Sequence, residues 1–254
     1  MVSSLLFVTT LCFQIQGTPA SSGFRPNAPD AKPPDPPKTV SVEMRGDIFM
    51  AKKMYREAIE TYKTGPADSP VLANKIGIGY HQLLDLENAR KWYERAVKLK
   101  PTYAEAINNL GTVYYARKSY RRSITQYKKA LRITPDSASI LSNLGTSYFA
   151  RKNYDLAFDT YQQALKLDPD VFEHRSAMGI LLQERTVEER AKYHYYLAKT
   201  YAKAGDVAHT LIYVRKSLEE GFKERDKFTK DPEFAKLRDN PEFQLILAAE
   251  HKVL

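Results

Sequence analysis

The side chains able to do chemistry are few and poorly placed for it. The histidines are His81, His174, His194, His209 and His251, and no two sit at a helical spacing that would share a metal. The single cysteine, Cys12, lies in an apolar N-terminal run, so the rest of the chain offers no disulfide, no thiolate nucleophile and no cysteine ligand. Gly77-Ile78-Gly79 opens like a phosphate loop, but it lacks the third glycine and falls inside a helical pattern. Glu184, Glu188 and Glu189 read as acids at a helix start, where they complement the dipole, rather than as a general acid and base. There is no His-Glu-x-x-His stretch and no nucleophile elbow. The expectation is therefore a protein without catalysis, cofactor or metal.

Binding is what the composition allows. The 254 residues carry a net charge of +9, and basic residues outnumber acids more than twofold between Ala73 and Ser137. Such a stretch attracts nucleic acid, anionic lipid or an acidic partner, and it is also what a solvated helix surface looks like. Residues 2–13 (VSSLLFVTTLCF) have the length of a signal-peptide core and are too short to span a bilayer. Small residues follow, so 1–20 is expected to be an export signal cleaved near Ala20, for a periplasmic or extracellular protein. No Lys or Arg precedes the run, which leaves a start further upstream or a weak signal as readings. Thr10 and Leu11 before Cys12 make a poor site for lipid anchoring. Residues 21–38 are proline-rich and form either a semi-rigid spacer or a plain tail.

The elements that would position a site repeat every 34 residues. One unit reads Ala73-x2-Ile76-Gly77-x2-Tyr80, then Ala89-x3-Tyr93-x2-Ala96, and closes at Pro101. The next runs Ile107, Leu110, Gly111, Tyr114, Ser123, Tyr127, Ala130 to Pro135, and a third runs Leu141, Leu144, Gly145, Tyr148, Ala157, Tyr161, Ala164 to Pro169. Apolar residues three and four apart make one helix face, and each unit holds two such stretches. Gly77, Gly111 and Gly145 each cost a helix about 1 kcal/mol relative to alanine. Close approach of the paired helix at Ala89, Ser123 and Ala157 is the expected compensation. Weaker copies flank these units, upstream through Val42, Gly46, Phe49, Ala58, Tyr62 and Pro70, and downstream through Leu197, Ala198, Tyr201 and Ser217. In the last copy Thr210 and Val214 look loose, and Phe222 replaces the closing proline.

This pattern closely resembles the tetratricopeptide-repeat signature in period, phase and residue type, over about residues 39–222. The resemblance implies an all-α, right-handed solenoid of about five helix-turn-helix units. The units are set at 39–72, 70–103, 104–137, 138–171 and 191–222. Residues 172–190 form an insertion, which is either a splice or a second contact surface through Ile180, Leu181 and Leu182. Thr186 and Glu189 have capping-box spacing within it. Residues 223–254 are expected to cap the stack with two short helices, begun by Asp231-Pro232-Glu233 and Asn240-Pro241-Glu242.

The resemblance further implies a concave surface lined by the first helix of each unit and occupied by an extended peptide or another protein. Carried onto this chain, its positions are Asn74, Ile78, His81 and Gln82; Glu105, Asn108, Thr112 and Tyr115; and Ser139, Ser142, Thr146 and Phe149. Glu43 and Asp47 make one end acidic, while Lys192, Tyr195, Lys199 and Lys203 make the other basic. Tyr115 and Phe149 are either anchors for the partner or rings packed inside the stack. The chaperone-type carboxylate clamp is not matched, because Asn109 and Asn143 lack their cationic partners. The basic cluster falls in second helices and turns, on the convex side. Rival readings are an envelope-associated subunit that meets an anionic surface there, and an RNA-binding repeat, against which the expected export argues.

Overall fold

The computed structural model describes residues 40–173 and 186–249. The export signal expected at 1–20, the linker at 21–38 and most of the 172–190 insertion lie outside the described residues. So do Cys12, His174 and His251.

Helices follow one another in antiparallel pairs. They are α1 (Val42–Ala51) with α2 (Tyr55–Lys63), α3 (Pro70–Gln82) with α4 (Leu86–Leu99), and α5 (Ala104–Ala116) with α6 (Tyr120–Leu131). Next come α7 (Ala138–Ala150) with α8 (Tyr154–Leu167), and α9 (Val187–Ala204) with α10 (Val207–Glu219). Each second helix also packs on the first helix of the next pair, so neighbours bury one another's faces. Among the first helices, α3 approaches α5 and α5 approaches α7 more closely than successive second helices approach one another, which puts these first helices on the inside of the curve. The starts are written locally. Ser41, Ser69, Asp85, Ser137 and Asp206 each accept a hydrogen bond from a backbone N–H of the first turn. Thr186 and Glu189 complete a capping box, so α9 begins a full turn before the expected 191.

The glycine phase is explained first by the tyrosines; of the small residues expected opposite, Ala157 also approaches, its carbonyl 3.3 Å from a Cβ on Gly145. A Cβ on Gly77, Gly111 or Gly145 would lie 2.5–2.6 Å from ring carbons of Tyr93, Tyr127 or Tyr161. The same clash recurs in the first pair, between Gly46 and Tyr62. Each tyrosine lies flat in a notch that only glycine leaves open, and each is 1% exposed or less. Burial of a side chain this size contributes roughly 2–3 kcal/mol, more than the helix loses at the glycine. The fifth pair solves the same problem with sizes exchanged. Ala198 stands where the glycine was and Val214 where the tyrosine was, and both are fully buried. Val214 is thus a matched replacement, not a loose fit.

The turn inside each pair ends on a left-handed residue: Lys53, Leu84, Lys118 and Lys152, with φ of 56–63°. Only the fifth pair uses glycine there, Gly205 with φ 83°. A side chain in this region costs about 1–2 kcal/mol, partly recovered because glycine loses more freedom on folding. Leu84 is 68% exposed and has nothing to lose by truncation. Leu84→Gly is therefore expected to raise the unfolding free energy by about 0.5–1 kcal/mol, read as a higher urea midpoint at unchanged m.

Beyond α10 the chain folds into short α11 (Lys227–Lys230), a 3-10 turn over Pro232–Leu237 and α12 (Pro241–Ala248). Phe228, Phe234 and Phe243 are buried against α9 and α10; Phe228 packs edge-on to both Tyr195 and Phe234, and Phe234 meets Tyr195 at a tilt. Asn240 caps α12 as expected, by accepting from the Phe243 N–H. Asp231 does not cap its turn. Its carboxylate instead accepts from the Tyr195 hydroxyl and from Lys199, which ties the last segment to α9.

Candidate functional site

The inner face is built from helix positions that repeat with the array, and most of its polar side chains already have partners in the protein. Asn74 is 1% exposed; its amide donates to Glu105 at 2.9 Å, and its carbonyl accepts from Asn109 at 3.1 Å. One repeat on, Asn143 donates to Asn108 at 3.1 Å. These contacts form a ladder of amides that joins α3, α5 and α7. Asn109 and Asn143, which failed as clamp residues, are the donors that set the register of neighbouring pairs.

Thr112 and Thr146 are buried and accept from the hydroxyls of Tyr127 and Tyr161 at 3.2 and 3.3 Å. The position is that of Asp47, which accepts from Tyr62 at 2.7 Å. These residues satisfy the polar ends of the notch tyrosines, so Thr112 and Thr146 are not offered to a ligand. Ser142 is 3% exposed, and Ser139 is exposed at the start of α7. Tyr115 and Phe149 pack within the stack, 6% and 4% exposed. Tyr115 meets Tyr120, and Phe149 meets Tyr154, Tyr193 and Tyr196 edge-on. Their burial suits the packing alternative rather than the anchor role. His81 is half-buried with its ring near Tyr93, and burial lowers its pKa below the usual 6.5. Gln82 is exposed at the end of α3.

Charge at the two ends is also compensated from within. Lys75 lies 2.6 Å from Asp47 and 3.0 Å from Glu43. Burial would raise the Asp47 carboxyl, but hydrogen bonds from Lys75 and Tyr62 outweigh it and hold the group below its ordinary value. At the far end Lys199 is drawn to Asp231 and Glu233, at 3.1 and 3.4 Å. Lys192 sits 4.4 Å above the Tyr154 ring, and Lys203 sits 5.0 Å from that of Phe158. Tyr195 is 2% exposed. The expected run from an acidic to a basic end is thus largely cancelled: at the basic end Lys203 alone is both exposed and without a carboxylate partner among the described residues.

One hollow that stays open has about 270 Å³ and is lined by Asp47, Met50, Tyr62, Asn74, Lys75, Ile78, Tyr103 and Glu105. Ile78 is its half-buried aliphatic residue, Asp47 pairs with Lys75, and Glu105 adds a second carboxylate. Lys75 and Tyr103 were not expected here. The signal for them was present, since Lys75 neighbours Asn74 and Tyr103 sits two residues before Glu105. Among the described residues no three of His, Cys, Asp and Glu gather to hold a metal, and no helix is long and apolar enough to cross a membrane.

Paired helices, a curved stack and a ligand-sized hollow on the inner face define a helical-repeat solenoid. The comparisons place it more closely. A family model described as "Tetratricopeptide repeat" matches residues 102–170, and another described as "TPR repeat" matches 79–118. Solved structures of MamA share the fold. One from Desulfovibrio magneticus RS-1 has a TM-score of 0.50 at 18% identity, covering 75% of this chain and 95% of its own. An RS-1 double mutant gives 0.50 at 19% identity, covering 70% and 92%. Among curated proteins, "Uncharacterized protein ycf37" of Guillardia theta is 34% identical over 80 residues, 27% of this chain, and the chain spans 43% of that relative's length. Residues 79–170 therefore match the tetratricopeptide-repeat family, and the helix pairs on either side continue the same solenoid fold.

Proposed function

We propose that the protein is a non-catalytic scaffold that holds an extended segment of a partner protein along its inner face. The repeat class supports a protein–protein interaction role. The observation that carries the finer reading is the hollow that Ile78 lines. Glu43 and Asp47 pair with Lys75, and Glu105 lines the same hollow, so three carboxylates stand against one lysine and a basic side chain of the partner is the matching occupant. The aliphatic stem of a lysine or arginine would cover Ile78 while its head reaches Glu105. The amide ladder continues from this hollow and offers hydrogen bonds to a peptide backbone crossing α5 and α7.

A photo-crosslinking residue placed at Ile78 in the full-length protein tests this against a control at Asp159, which is exposed on α8. In native-source extract, the Ile78 probe is expected to cross-link a discrete partner, and Glu105→Arg should abolish the product. A partner trapped at Asp159 and not at Ile78 would move the binding site off the inner face. Tyr115→Ala and Phe149→Ala are unsuited to this purpose, because they would open cavities in the stack.

A further inference from the structure

We infer that the outer face of α6 is a second docking surface and that its occupant is an acidic polypeptide segment. Between Glu105 and Asp136 the chain contains no acid. Lys118, Arg121, Arg122, Lys128, Lys129 and Arg132 fall in this stretch, and among the described residues none of them has a carboxylate partner. Arg117 beside them shows the contrast, held by Glu87 at 2.7 Å. Arg121, Lys128 and Arg132 are exposed at spacings of seven and four, on one side of the helix with Thr125 between them. They span roughly 16 Å at 1.5 Å per residue. At one end of this stripe, Lys118, Arg121 and Arg122 meet Arg151 of the next pair around a hollow of about 540 Å³ whose lining contains no acid.

The shape of the charge selects the occupant. A flat anionic membrane would also meet the neighbouring α8, which is not a basic plane. Asp155 and Asp159 are exposed there. A narrow acidic ribbon can follow α6 and avoid them. Single-stranded nucleic acid needs ring faces for base stacking. Two rings beside the stripe are covered by its own cations, Tyr114 by Arg122 at 5.8 Å and Tyr148 by Lys128 at 5.6 Å, and Tyr120 at the hollow packs against Tyr115. Arginine forks pair well with carboxylates, and three of them converge at the hollow.

The test is fluorescence anisotropy of the full-length protein with a labelled glutamate-rich peptide long enough to span α6, at low salt. Arg121→Gln/Arg122→Gln/Lys128→Gln is expected to weaken binding about tenfold or more with an unchanged melting temperature, since all three side chains are exposed. Lys52→Gln/Lys53→Gln, a basic pair in the first turn, should leave the affinity within about twofold. Equal losses in both variants would reduce the effect to net charge and overturn the proposal. So would the absence of peptide binding, or equal or tighter binding of oligouridine or of phosphatidylserine vesicles in place of the peptide.

Discussion

Tyr127→Ala is expected to lower the unfolding free energy by about 3–5 kcal/mol. The ring is 1% exposed, its face lies against Gly111, and its hydroxyl donates to Thr112. Truncation would therefore leave a cavity between α5 and α6 and free a buried threonine hydroxyl. The array is held only by contacts between neighbours, so a weak central pair should also let the two halves melt separately, seen as a smaller m in urea. The partner substitution gives the sharper result. Alanine usually stabilises a helix by about 1 kcal/mol over glycine. At Gly111 its Cβ would sit 2.6 Å from the Tyr127 ring, and overpacking of this kind costs about 1–3 kcal/mol. Gly111→Ala should thus destabilise the protein. Combined with Tyr127→Val it copies Ala198 and Val214 of the fifth pair, and the double-mutant cycle should show a favourable coupling of about 1 kcal/mol or more. A stabilising Gly111→Ala would refute the steric account.

The period, the pairing of helices and the closing prolines were legible because each depends on spacing within a few turns of chain. The glycine phase was legible too, but its cause was not. A fixed offset of sixteen residues links Gly111 to Tyr127, and that offset becomes a contact only once two helices are folded back on each other. The same offset, read on the fifth pair, turns Val214 from a poor match into a complement of Ala198. The sequence supplied the inner face as a set of helix positions, but not which of their groups are available. Family position says which residue lies inside the curve, whereas availability depends on hydrogen bonds that form only once the helices pack. Asn74 has such a partner in the next repeat, Thr112 and Thr146 have theirs within their own pairs, and Lys199 is drawn away by a segment more than thirty residues further on.

Lys199→Met decides whether that lysine belongs to the inner face or to the end of the stack, and it is expected to cost about 2–3 kcal/mol. Its ammonium lies between Asp231 and Glu233, and the three side chains are 20%, 21% and 15% exposed. One oxygen of Glu233 is buried without a hydrogen bond, so the charge of Lys199 is its compensation. Methionine keeps the stem over Phe158 and removes only the charge, leaving two carboxylates near the Tyr195 hydroxyl. The loss falls short of the roughly 3–5 kcal/mol of a fully enclosed pair because each group keeps some contact with water. Glu233→Gln in the Lys199→Met background should recover part of it, since it removes one of the two unpaired charges. Urea midpoints of the full-length proteins at neutral pH would measure both the loss and the recovery. If Lys199→Met instead unfolds with wild-type stability at neutral pH, the carboxylates do not depend on it. The lysine would then be free to meet a partner from the inner face, as its repeat position alone suggests.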